Sequence, residues 1–564
     1  LLKAQIDKGY TQKEKYLSLL TSTKDKEKSS IVSDGWLLRG HNEKEEAYYG
    51  NRQDTRKHLE LALSYYKKAY DLFNKTSTNK THEALTCWAQ TAKDLGEIHQ
   101  MEQVYKVIEE NILSRRPSFK TYYTRSLIGT HLYEMSGDHR YLSEGIDDLK
   151  QGLLINPSDK ETIQASLLLG KIHFLKNNFD QAESVLAPLV DMFPDSPLAF
   201  ETLYWAGRAA ERQIKPNHSP GEYYRRCFND YPSSSFAAEA FFRVYTYQDY
   251  LNSEKEAKKH LEELLTRYPD SRFVMDTNFL LALDSKRDRK TSKGKWISKS
   301  NVTKAIDQFH QVTTDYQRFQ SLNLIDDKDL AHYSSLELRA TLEKALCNLT
   351  IARQSSGAKK HIYLQYAKEV FTDLIDKMGP PQPNNFKHDT FEEAVYGLAQ
   401  TELEAEQYDE AEQLIHKLID TYEASKVTRG YYLSRSWHDL SLIALADETS
   451  ERSYQQSLDY LQNAEECAKG RVLSTDETID LWLKMSHCYK MLGQYDQAMR
   501  YLTKAIDEDA VSNLRLKAMY LRAEIYQLQG RLELSRKQLE ATAKKGGEWG
   551  QKAKDKLGEI YEYH

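Results

Sequence analysis

Along most of the chain, large apolar residues return every three or four positions and turn residues interrupt the run. The stretch "LWLKMSHCYKMLGQYDQAMRYLTKAI", residues 481–506, shows the pattern. Trp482 and Tyr489 share one helical face, and Gly493 breaks the helix. Ala498, Leu502 and Ala505 then line a face of a second helix. Small residues let two helices approach, and large ones fill the space beside them. The spacing predicts a helix–turn–helix hairpin.

The same frame recurs. In "SLLLGKIHFLKNNFDQAESVLAPLVDMFP" it falls on Leu169, Gly170, Ala182, Leu186 and Pro194. In "AFFRVYTYQDYLNSEKEAKKHLEELLTRYP" it falls on Ala257, Leu261 and Pro269. In "AVYGLAQTELEAEQYDEAEQLIHKLIDTY" it falls on Leu398, Ala399, Ala411, Ile415 and Leu418. In "MYLRAEIYQLQGRLELSRKQLEATA" it falls on Met519, Ala523, Tyr526, Ser535 and Leu539. Pro194, Pro232 and Pro269 recur at steps of 38 and 37 residues, and proline stops a helix. From about residue 56 onward these residues resemble the tetratricopeptide repeat, a helical hairpin of about 34 residues. The resemblance implies an all-α fold: a right-handed superhelix of stacked helix–turn–helix units, an α-α solenoid. Ala510 stands where the repeat expects proline, His173 where it expects tyrosine, and "QIKPNHSPG" lengthens one turn.

The expected organisation is a polar, partly helical segment over 1–55, a first array over 56–284, and a basic flexible loop over 285–300. Helical hairpins over 301–378, a proline-rich linker over 379–390 and a second array over 391–564 ending in a capping helix follow. The loop, "SKRDRKTSKGKWISKS", holds seven Lys/Arg and one acid, and "GPPQPNN" cannot be helical. Within 190–275, "FPDSPLAFETLYWAGRAAE", "YPSSSFAAEAFFRVY" and "RYPDSRFVMDTNFLL" share an aromatic-Pro-x-Ser pattern. It resembles repeats of the bacterial outer-membrane assembly lipoprotein and the TolA-binding cell-division coordinator. That resemblance implies a bacterial cell envelope, in the periplasm rather than the cytoplasm. The serine is expected to accept from free N–H groups of the next helix.

Composition narrows the chemistry. The 564 residues carry 78 Lys+Arg against 84 Asp+Glu, a formal net charge of −6. A near balance gives no push towards nucleic acid, and none is expected as a partner. No apolar run reaches the ~18 residues that cross a bilayer. The chain starts at Leu1, so a signal peptide or membrane anchor upstream is compatible with it. The five cysteines form no CxxC, and neither a phosphate loop nor a metal-ligand spacing is present. No cofactor or metal is expected. His487, Cys488 and Tyr489 are adjacent, but neighbours on a helix point about 100° apart and do not face each other. Packing for Cys488 and Tyr489, with His487 at the surface, is the expectation, and no catalytic residue is assigned.

In tetratricopeptide units the first helix lines the binding groove. The resemblance places Leu167, Tyr204, Phe242, Tyr396, Leu483 and Tyr520 there, three positions before a small anchor residue. One position past that anchor stand Lys171, Arg208, Thr246, Gln400, His487 and Glu524. Tyr204, Phe242 and Tyr250 form the preferred patch, with Arg208 and Arg212 beside it to hold a carboxylate. Aromatic rings flanked by polar groups suit a peptide. The function expected is a non-enzymatic scaffold for protein or peptide partners, envelope proteins among them. A self-associating assembly protein and an enzyme with an unrecognised site stay open, as does the oligomeric state.

Overall fold

The computed structural model describes residues 29–49, 54–73, 78–113, 117–155, 157–246, 254–287, 289–290, 296–298, 300–322, 324–379, 389–426, 428, 430–446, 450–470, 472–508 and 513–562. The chain divides into two compact units, Leu1–Phe273 and Val274–His564. The first holds α1 (Ser29–Tyr49), α2 (Thr55–Phe73), α3 (Thr78–Leu95), α4 (Ile98–Val107, running on as a π-helical turn over Ile108–Leu113), α5 (Phe119–Ser136) and α6 (His139–Leu153). It continues with α7 (Asp159–Leu175), α8 (Phe179–Met192), α9 (Ala199–Glu211), α10 (Pro220–Asp230), α11 (Ala237–Thr246) and α12 (Glu254–Arg267). The boundary between units falls at the start of α13 (Phe273–Ser285).

The second unit continues through α14 (Val302–Ser321), α15 (Asp327–Arg353), α16 (Gly357–Met378), α17 (Asp389–Glu404), α18 (Tyr408–Ala424) and α19 (Tyr431–Leu445). It goes on with α20 (Glu451–Cys467), α21 (Thr475–Met491), α22 (Tyr495–Asp507), α23 (Asn513–Leu528), α24 (Leu532–Ala543) and α25 (Gly547–Glu562). The fold is all-α, built from consecutive antiparallel hairpins, as the apolar period predicts. Within 285–300, Arg289–Lys290 pairs antiparallel with Trp296–Ser298, so a short two-stranded ladder stands where the sequence pattern suggested only loop. Of the expected partly helical segment 1–55, residues 29–49 form α1 and 1–28 lie outside the described residues, as do 380–388 of the proline-rich linker.

The core is a series of local clusters. In the first unit one gathers Tyr66, Phe73, Trp88 and Met101, and another gathers Phe119, Leu149, Leu169 and Ile172. In the second unit Phe371 with Leu349, Tyr422 with Ile415, and Met485 with Leu502 belong to successive clusters. Each hairpin buries its stripe against the next hairpin, because one pair of helices cannot cover it alone.

Turn chemistry is shared even where the residues differ. Gly96, Asn177, Glu406, Gly493 and Gly530 all have positive φ, from 60° to 76°. In each, the following N–H reaches back to a carbonyl five residues earlier, as from Asn178 to His173, Gln407 to Glu402 and Gln494 to Tyr489. This left-handed closure satisfies the last free carbonyls of the first helix. Ser158 with Glu161 and Ser474 with Glu477 form capping boxes that start α7 and α21.

The aromatic-Pro-x-Ser turns also repeat one geometry. The N–H groups of Ser196, Ser234 and Ser271 donate to the carbonyls of Phe193, Tyr231 and Tyr268. Ser196 Oγ accepts from Leu198 N at 3.2 Å, and Ser271 Oγ accepts from Phe273 N at 3.3 Å. Ser271 thus accepts from the first residue of α13, as expected, whereas Ser196 bonds Leu198 just before α9, a helix with no side-chain cap. Ser234 Oγ is buried beside the Cys227 thiol, and the third turn holds its shape through the backbone.

Candidate functional site

The candidate surface is the face of the first helices α7, α9 and α11, and its counterpart on α17, α19 and α21. Successive first helices lie side by side, which brings residues 30 to 46 apart in sequence into contact. On α7, Lys171 pairs with Glu201 of α9 at 2.5 Å. Tyr204 of α9 donates its hydroxyl to Glu239 of α11 at 2.5 Å, and Arg208 donates to the Tyr204 hydroxyl at 2.9 Å. Arg243 of α11 pairs with Glu239 at 2.8 Å and with Glu211 of α9 at 3.3 Å. Tyr224 of α10 closes the network by donating to Glu211 at 2.8 Å.

Low dielectric makes this ladder electrostatically strong. Burial, reinforced by the Glu239 carboxylate, pushes the Tyr204 hydroxyl up to about 12. Against the opposing pull of burial, Tyr204, Tyr224, Glu239 and Glu211 together hold the Arg243 guanidinium above its ordinary value.

The second unit repeats the device. Tyr396 and Gln400 of α17 donate to Asp439 of α19 at 2.7 and 2.5 Å. Tyr431 of α19 donates to Glu477 of α21 at 2.8 Å, and Lys484 meets His438 at 2.9 Å. Lys490 of α21 pairs with Glu524 of α23 at 2.9 Å. Of these acceptors the sequence pattern named Glu524 and missed the others. A signal was present: Glu201 and Glu239 each stand five residues after the turn serine Ser196 or Ser234.

The groove candidates fall into three groups. Tyr204 is only 3% exposed and stacks on Phe236 at 4.5 Å, and Leu167 and Leu483 are buried as well. Lys171, Arg208, Tyr396, Gln400 and Glu524 are partly exposed with partners on neighbouring first helices, Arg208 also on its own helix. Phe242 and Tyr520 are half-buried, while Arg212 and His487 are exposed. Phe242 stacks on Phe273 at 5.4 Å, and Tyr520 meets Trp549 at 5.4 Å. Tyr250 lies outside the described residues, as does the side chain of Thr246.

The triplet His487, Cys488 and Tyr489 splits as helix geometry requires. Cys488 is buried with its thiol 3.5 Å from Ser457 Oγ, and burial pushes that thiol above its ordinary value. Tyr489 packs against Tyr501 at 5.7 Å, and His487 points outward with its ring edge on Tyr454. A thiol held protonated and turned away from the histidine is poorly placed as a nucleophile. Among the described residues no helix is long and apolar enough to cross a membrane.

Two tetratricopeptide repeat family models match the chain, one at residues 479–511 and one at 245–271. A search of curated proteins returns no match. Among solved structures, the chain is similar to a human IFIT1 dimer with m7Gppp-AAAA, at 15% identity over 84% of this chain and 94% of that one, with a TM-score of 0.31. It is also similar to the APC/C hetero-tetramer Cut9–Hcn1, at 14% identity over 93% and 96% of the two chains, with a TM-score of 0.29. Residues 479–511 and 245–271 are thus similar to tetratricopeptide repeats, in an all-α chain of paired helices.

Proposed function

We propose that the chain is a non-catalytic scaffold that holds a protein or peptide partner against its first-helix faces, in a bacterial cell envelope. The observation that carries this reading is the inter-helix ladder. It fixes the rings and charges of α7, α9 and α11 before any partner arrives, so little ordering cost falls on the scaffold. Phe242 of α11 in the first unit and His487 of α21 in the second stay accessible for recognition. The buried Tyr204 acts here as the support that sets Arg208 and Glu239, and Phe242 makes the contact. The envelope assignment rests on the repeated aromatic-Pro-x-Ser turns.

The test is retention of partners from an envelope extract on the immobilised full chain, with and without Phe242→Ala and His487→Ala made together. Loss of at least one specific protein supports the reading. Unchanged retention of every protein, with helical content also unchanged, overturns it.

A further inference from the structure

The loop between α9 and α10 spans eight residues, and the repeat architecture does not account for its structure. It runs from Arg212 to Ser219 and carries Ile214, which is 99% exposed. Such an extension would ordinarily be a slack surface excursion. This one is anchored from beneath by a carboxylate. Glu183 of α8 is fully buried and accepts four hydrogen bonds from the loop and its margin. Gln213 Nε2 donates at 2.8 Å, the backbone N–H groups of Asn217 and His218 at 3.2 and 3.0 Å, and the Tyr223 hydroxyl at 3.0 Å. Gln213 also donates to the carbonyls of Phe179 and Ala209, both at 3.2 Å. A buried carboxylate is costly unless its lone pairs are filled, and here they are.

Ile214 plays no part in this anchoring. It sits at the crest, where a polar residue would serve the loop's own structure as well. Arg212 and Lys215 flank it, both exposed, and no acidic residue occurs from 212 to 221. We infer that Arg212–Ser219 is a preformed knob that docks Ile214 into an apolar socket edged by carboxylates on a protein partner. Three features argue for that occupant: an apolar side chain presented whole, a rim of one charge sign, and a base that removes the ordering cost. The inference rests on the scaffold reading but uses a surface separate from the first-helix face around Phe242.

The test attaches a benzophenone through a maleimide to Ile214→Cys in the full chain. Leu154→Cys, at a site 78% exposed in the same unit, serves as the control. Burial pushes all five native thiols up, and four of them are buried with Cys87 half-buried, which leaves the introduced thiol the faster to react. After illumination in envelope extract, the label at 214 is expected to join a protein at a peptide mixing apolar residues with Asp or Glu. Screening by about 0.5 M salt should lower the yield several-fold, as exposed charge pairs require. With that protein purified, Ile214→Ser should weaken binding roughly tenfold to a hundredfold, the worth of one buried isoleucine. Glu183→Gln should weaken it while leaving helical content in place. Equal labelling from position 154, or adducts only to lipid, to a second copy of the chain or to basic peptides, would overturn the inference. If the loop fails while Phe242→Ala still releases a partner, the scaffold reading survives. If neither surface holds a protein, both fall.

Discussion

Arg125 and Asp148 illustrate how single residues carry this protein. They form a buried ion pair at 2.6 Å between α5 and α6. Arg125→Met would strand the Asp148 carboxylate in the core, and we expect a loss of about 3–5 kcal/mol, measured by urea unfolding of the first unit's signal. Close packing sets a second residue-scale limit. Gly207 of α9 faces the buried ring of Tyr224, and a Cβ there would stand 2.7 Å from Cε1. Gly207→Ala should therefore destabilise by roughly 1–3 kcal/mol, seen as a lower thermal midpoint. The glycine of the repeat pattern was legible in the sequence. The ring it makes room for was not, because Tyr224 lies on the following helix after an insert of irregular length.

At the scale of elements, the turns and the ladder behave differently. Glu406 adopts φ 63° at the place that Gly493 and Gly530 occupy in other hairpins. A side chain in the left-handed region costs about 1–2 kcal/mol, partly offset by the greater chain entropy of glycine. Glu406→Gly should raise stability by about 0.5–1 kcal/mol, read from the denaturation midpoint of α17–α18. The α19–α21 contact responds to pH. Against the opposing effect of burial, hydrogen bonds and charge from His438 and Lys484 hold the Asp480 carboxyl well below the usual range. A folded value below the unfolded one means stabilisation that is full above the unfolded value near 3.8 and lost as pH falls through the folded one. Amide hydrogen exchange at α19 and α21 should therefore speed up, beyond intrinsic rates, on acidification below about pH 4. Asp480→Asn should remove that dependence. The helices themselves were legible from their apolar period. Most acceptors of the ladder were not, because periodicity marks which face is buried and says little about which polar group meets which across 30 to 46 residues of chain.

On the scale of the whole molecule, cores strung along the chain replace a single centre. Each hairpin depends on its neighbours, and the chain divides into two compact units at Phe273/Val274. Equilibrium unfolding should depart from one two-state transition, with the calorimetric enthalpy exceeding the van't Hoff value. A single coincident transition by fluorescence, circular dichroism and calorimetry would contradict this.

The amino-acid sequence by itself determined that the chain forms paired helices. It also set which stripe of each helix is apolar and where proline, glycine and serine stop one helix and start the next. Those properties are local, since a 3.6-residue period and a turn's torsion angles need only neighbouring residues. Tertiary structure alone decided that Tyr204 is a buried support and that Glu183 reaches under a distant loop to hold Ile214 outward. These outcomes depend on which helix packs beside which, and burial, charge pairing and exposure are set by that neighbour.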